Sequence, residues 1–221
     1  MSDLIDKVVE LEWGMFSTVN GDTRVSCQED RETFTIMRRG QFEAWGEAAV
    51  ESYLDDLRSA ASAGRNLARE KYIRMMAGTD KKGYEAFCGE LPETSPACAA
   101  LVQEIWEHMA RETEEMRRSY PLLALGGRPL YKKDENSWAS VESYQISELL
   151  TCSEKTLRLL LDRLKALEAE EKSLAYEIQL CTVKGLGYDS LRAAEDSMTK
   201  TLYWDEGPDY SSRGCACRTQ F

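Results

Sequence analysis

From residue 31 to residue 63 the chain runs without a proline, and its apolar residues return every three or four positions. That spacing keeps them on one face of an α-helix and would scatter them over both faces of a strand. Only five prolines interrupt the whole chain, and the tracts between them are rich in Ala, Leu, Glu, Arg and Met, residues that lose little on entering a helix. No convincing run of alternating apolar and polar residues reads as a strand. The expected fold is all-α, a single-domain multi-helix bundle with long central helices.

Local signals divide this pattern. A first helix covers about residues 2–13, and a polar connector with Asn20-Gly21 as its turn signal follows. Asp30 is placed to cap the long helix of about 31–63, which stops at Gly64. A shorter helix ends at Gly78, residues 80–95 read as loop, and a helix of about 97–119 ends before Pro121. Helices of about 139–151 and 154–183 complete the bundle, with a short one after Gly187. The long helix is expected to pack lengthwise on that of 154–183. Residues 1–200 are taken as one helical domain, and residues 201–221 as a flexible or late-docking tail with little to bury.

Composition narrows the chemistry. With 39 acidic against 28 basic residues the net charge is −11, so neither nucleic acid nor an anionic membrane is an expected partner. No stretch approaches the ~20 apolar residues of a membrane-spanning helix, and the first residues carry acids inside their apolar pattern, unlike a signal peptide. Seven cysteines, an odd and scattered set, fit reduced thiols and a cytoplasmic location. His108 is the sole histidine. Histidine triads, histidine zinc sites and paired Glu-x-x-His motifs are thereby excluded.

The remaining chemistry must come from carboxylates, thiols, Tyr, Lys and Arg. Glu47, Glu51 and Asp55 follow each other at i, i+4 and i+8, either as cation ligands or as a solvated flank. The tetrapeptide VESY occurs at 50–53 and again at 141–144. In the second copy Glu142 points away from Glu148, which shares a face with Val141 and Tyr144 and reads as an inward carboxylate in need of a partner. Residues 64–76, GRNLAREKYIRMM, crowd Arg65, Asn66, Glu70, Lys71 and Tyr72 beside methionines. Here Glu70 either joins a site or pairs with Arg74 one turn on. Cys27 precedes a helix start, where the dipole and Arg24 favour the thiolate while Glu29 and Asp30 oppose it.

Taken together, FSTVNGDTRVSCQEDRETFTIMRRGQFEAW, ESYLDDL, GRNLAREKYIRMM, YPLLALGGRP and VESYQISELLTCSEKTL resemble the bacterial domain of unknown function 4125 family over about residues 10–195. The resemblance implies one helical domain and carries no activity. It implies that Arg24, Cys27, Gln28, Asp30, Arg38, Gln41, Asp55, Arg65, Asn66, Glu70, Lys71, Tyr72, Arg128, Glu142 and Glu148 stand at polar motif positions. The chain departs from the pattern at Cys152, where the family has an aromatic, and at Ile146 and Ser147, where it has a basic residue and glycine.

Two functions are compatible with these residues. One is an enzyme on a small anionic molecule, with Arg24, Arg38, Arg65, Asn66, Arg128 and Tyr144 binding substrate and Glu70, Lys71, Tyr72, Glu148 and Cys27 carrying the chemistry. In a metal-dependent variant Glu51, Asp55, Glu142 and Glu148 ligate a divalent iron, manganese or magnesium ion. The other is a non-catalytic binding or assembly protein whose motif residues form ion-pair networks that fix helix register. In either case Glu70 and Glu148 are expected in one interior polar cluster with Arg65 or Arg128 and a tyrosine. The two functions differ in whether the motif groups surround a cavity or pair off among themselves. From the net charge, duplex DNA should not bind at physiological salt in a fluorescence-anisotropy titration; salt-sensitive micromolar binding would contradict this.

Overall fold

A computed structural model gives the fold and describes residues 1–19, 30–125, 127–131 and 139–204, with side chains to residue 199. Among these residues there are eleven α-helices and no strand, the all-α architecture that the apolar spacing implies. The helices are α1 (Ser2–Phe16), α2 (Arg31–Trp45), α3 (Glu47–Ser62), α4 (Leu67–Thr79), α5 (Lys81–Phe87) and α6 (Pro96–Ser119). They continue as α7 (Pro121–Leu125), α8 (Val141–Leu149), α9 (Glu154–Ala169), α10 (Leu174–Gly185) and α11 (Leu191–Trp204). No helix among the described residues is long and apolar enough to cross a membrane.

Most ends follow the local signals. The Asp30 carboxylate accepts the Thr33 N–H at 3.0 Å, and Asn66 Oδ1 accepts the Arg69 N–H at 2.9 Å. Ser95 caps α6, with Pro96 in its first turn where no backbone donor is lost. Two boundaries depart from the expectation. The helix of 31–63 breaks at Gly46, whose φ of 84° and ψ of 158° lie in a region open almost solely to glycine. The helix of 154–183 breaks between α9 and α10, where Glu171 adopts φ 55°. The longest element is therefore α6, and residues 81–87, expected as loop, form α5. The tail beyond residue 204 lies outside the described residues.

Both breaks serve the same packing. Because each long tract bends, α2 lies along α10 while α3 lies along α9. A main core of apolar side chains from α1–α4, α6 and α8–α10 fills the centre, with Phe42, Trp45 and Tyr53 packed edge-on and tilted at centroid separations of 5.4 to 5.7 Å. A smaller cluster of Leu123, Val183, Leu191 and Ala194 joins the end of α10 to α7 and α11.

The α2/α10 contact is very close. A Cβ on Gly40 would lie 2.6 Å from Thr182 Oγ1, 3.0 Å from the Thr182 nitrogen and 3.2 Å from the Ile178 carbonyl oxygen. Two of these are backbone atoms that cannot swing aside. Gly40→Val should therefore destabilise by about 1–3 kcal/mol, despite the better helix propensity of valine. Gly14→Ala, in a helix with nothing within 4 Å of the added carbon, should leave stability unchanged or raised. Thermal melts of the two variants check both outcomes.

Candidate functional site

At the centre of the bundle five helices contribute polar side chains to one buried cluster. Arg38 of α2 donates from Nε and Nη2 to the two oxygens of Glu12 on α1, both at 2.7 Å. Its Nη1 donates to Gln41 Oε1 at 2.8 Å and to Glu148 Oε1 of α8 at 3.0 Å. Gln41 Nε2 donates to the same Glu148 oxygen at 2.6 Å. Lys71 of α4 donates to Glu148 Oε2 at 3.0 Å and to the Tyr144 hydroxyl at 2.8 Å, and the Tyr53 hydroxyl of α3 donates to Glu12 at 2.7 Å. Two carboxylates face two cations, so the cluster has no net charge.

Burial and charge oppose each other here, and charge wins. Burial alone would push the Glu148 carboxyl up, but Arg38 and Lys71 bring it down to about 2. For Lys71 burial works against the charge and is outweighed by Glu148, which leaves the ammonium above its ordinary range. Tyr53 is raised well above its ordinary value, by burial first and then by Glu12. Beside the cluster is a gap of about 30 Å³, lined also by Met15, Phe16, Phe34 and Leu67, with room for a water molecule or two.

The sequence-predicted residues divide among separate places. Arg38, Lys71, Tyr144 and Glu148 meet in the cluster. Arg128 lies 5.4 Å from the Tyr144 ring centroid and donates to the Ala139 carbonyl oxygen. Glu70 is buried, as expected, but both its oxygens are taken by Arg65 at 2.7 and 2.8 Å. Glu70 and Glu148 therefore share no partner, which corrects the expectation of a common cluster. Adjacent residues on a helix diverge by 100°, so Lys71 and Glu70 serve different neighbours. Asn66 is a helix cap whose amide also donates to the Met15 carbonyl oxygen, and Tyr72 stacks on Phe16. Arg24 and Cys27 lie outside the described residues.

The proposed metal ligands are not brought together. Glu51 and Asp55 lie on the exposed flank of α3, opposite the face that Val50, Leu54 and Leu57 bury, and Asp55 faces Arg58. Glu148 has its oxygens occupied by Arg38, Gln41 and Lys71, while Glu142 lies elsewhere on α8. Among the described residues no three acids, cysteines or histidines are grouped to hold a metal ion. The repeated VESY aims its tyrosines rather than its glutamates inward, Tyr53 to Glu12 and Tyr144 to Lys71.

A second site was not anticipated. Between α4, the Tyr84–Thr94 segment and α8 lies a groove of about 640 Å³, within the range of small-molecule pockets. Arg74 lines it from α4 and Glu142, Ser143, Ile146 and Ser147 line it from α8. Arg74 is half-buried, and its Nη1 is closed to solvent without a hydrogen-bond partner among the described residues. Burial lowers its pKa, against the attraction of Glu70, whereas Arg38, Arg65 and Arg69 are all raised by paired acids. Helical spacing puts Glu70 within reach of Arg74. The bidentate fork of Arg65 has taken it instead.

The described residues thus define an all-helical domain with a charge-paired centre and a groove between α4, the Tyr84–Thr94 segment and α8. The chain belongs to the family described as Protein of unknown function (DUF4125), whose model matches residues 2–196. No curated protein and no solved structure matches it.

Glu148→Gln leaves Lys71 and one arm of Arg38 buried without their counter-charge, and should cost about 3 kcal/mol. The melting temperature should fall by about 6–12 °C. Because the Glu148 carboxyl is held near 2 against an ordinary 4.5, its contribution is complete above about pH 4.5 and is lost as the pH falls toward 2. Calorimetric scans across that window should show a shallower acid-side loss in the variant than in the wild type.

Proposed function

We propose that the protein binds a small organic anion in the groove between α4 and α8, with Arg74 as its anchor, and that the central cluster is the frame holding the groove walls. The single observation that carries this reading is the half-buried guanidinium of Arg74 on the wall of a ligand-sized groove, with no ion pair or hydrogen bond among the described residues. A carboxylate or phosphate arriving at the groove-facing part of that guanidinium gains charge-assisted hydrogen bonds.

Binding is favoured over catalysis by the state of the cluster. A general acid or base works best with a pKa near the working pH, and both Glu148 and Lys71 are driven away from neutrality, one down and one up. Their groups pair off among themselves, which supports a structural role. The free thiols of Cys88, Cys98, Cys152 and Cys181 support a reducing compartment such as the cytoplasm. The acidic surface supports a small molecule rather than nucleic acid or membrane as the partner.

Isothermal titration with short-chain carboxylates, phosphate monoesters, amino acids and dipeptides, all of which carry an organic anion, tests this. At least one class should bind, and Arg74→Gln should weaken it by roughly tenfold to a hundredfold, the worth of a charge-assisted hydrogen bond. Arg58→Gln, on the exposed flank of α3, should bind as the wild type does. Absence of binding by every class, or equal affinity of the Arg74 variant, would overturn the reading.

A further inference from the structure

The groove carries a second unpaired charge, of opposite sign. Glu142 sits on the α8 wall, half-buried; among the described residues its carboxylate has no ion pair or hydrogen bond, and its charge is felt by the Tyr131 hydroxyl. It is not needed to cap α8. That role belongs to Ser140, which accepts the Ser143 N–H at 3.1 Å. A carboxylate in a first helical turn gains modestly from the backbone N–H groups there. That gain does not require it to face a groove.

Among the described residues the α4 wall therefore presents a cation without an ion pair and the α8 wall an anion without one. Met75, Leu91, Ile146 and Leu150 provide apolar surface in the same groove. A ligand carrying only negative charge would satisfy Arg74 and be repelled by Glu142. One carrying only positive charge would meet the reverse. A molecule with both charges and an apolar body satisfies each wall and buries the apolar surface between them.

We infer that the ligand of the groove is a zwitterion, an amino acid or short peptide with apolar side chains, whose carboxylate is held by Arg74 and whose ammonium is held by Glu142. The inference rests on the reading of the groove as an anion site and adds to it the cation-binding half and the apolar body. Leucine and leucyl-leucine share this chemistry and differ in the reach between their charges.

The test is a titration series on the full chain with leucine, leucyl-leucine, N-acetyl-leucyl-leucine and leucyl-leucine amide. One of the two zwitterions should bind. Blocking the amine should weaken dipeptide binding at least tenfold in the wild type and have little effect in Glu142→Gln; blocking the carboxylate should do the same in the wild type and have little effect in Arg74→Gln. If leucine binds and the dipeptide does not, leucine amide and N-acetyl-leucine replace the blocked dipeptides in the same comparison. Circular-dichroism melts report whether the two variants are folded. If the N-acetylated compound binds the wild type as tightly as its parent, the zwitterion inference falls and the anion site stands. If the zwitterions fail to bind while simple carboxylates or phosphate monoesters do, the inference likewise falls alone. If no compound of any class binds, both fall together.

Discussion

The guanidinium of Arg38 is the point on which the arrangement of helices depends. It spends one fork on Glu12 of α1 and its remaining nitrogen on Gln41 and Glu148, so one side chain ties α2 to α1 and α8. Each acid it touches reaches a further helix, Glu12 through Tyr53 to α3 and Glu148 through Lys71 to α4. Apolar faces attract one another without regard to register, since burial is proportional to area and not to direction. Buried charges are intolerant of error, because a carboxylate left unpaired costs several kcal/mol. We read the cluster as what selects one docking of five helices among the several that apolar contact alone would permit.

The same helices then have two jobs. Lys71 and Arg74 lie three residues apart on α4, and Glu148 and Glu142 lie six apart on α8. Lys71 and Glu148 face the centre and are paired with each other. Arg74 and Glu142 line the groove and have no ion pair among the described residues. The contrast is one of partners rather than residue type, because both pairs combine a cation on α4 with an acid on α8. Charge compensation at the centre makes structure. On the proposed reading, its lack among the described residues of the groove leaves interaction energy available to a ligand.

Much of the fold was legible because it follows from local chemistry. Asp30 caps where its carboxylate finds the Thr33 N–H, α4 ends within a residue of Gly78, and α6 ends before Pro121. Glu148 was legible as an inward acid because Val141 and Tyr144 mark its face. The break at Gly46 was not, because the apolar period continues across it and the reason for the bend is a tertiary one, the lie of α2 on α10 and of α3 on α9. Glu12 gave no signal either, being one of several acids in α1. Arg74 was hidden by a competition that spacing cannot resolve: Glu70 is one turn from it, but Arg65, folded back over the first turn of α4, offers two parallel donors. The expected metal ligands failed for the opposite reason. A regular i, i+4 row of acids on α3 is a property of one helix, and a metal site needs donors that converge from several.

A groove built on this frame has a consequence for binding energetics. Its α4 and α8 walls are pinned to each other by the Lys71–Glu148 ion pair and by the hydrogen bond from Lys71 to Tyr144, both largely removed from solvent. Association always loses free energy to the ordering of the groups that meet, and that loss is smaller when the receiving side chains already sit on rigid elements. Arg74 and Glu142 project from helices rather than from loops, with the pinned residues only a few positions away on each helix. A ligand would then find its two charged partners at a separation set by helix packing rather than by its own arrival. Selectivity follows from the same rigidity: a zwitterion whose charges match that separation gains at both ends, and one whose reach is too short or too long gives up a whole ionic contact. In the proposed binding mode the buried cluster acts on recognition without touching the ligand, because it fixes the distance over which the ligand must fit.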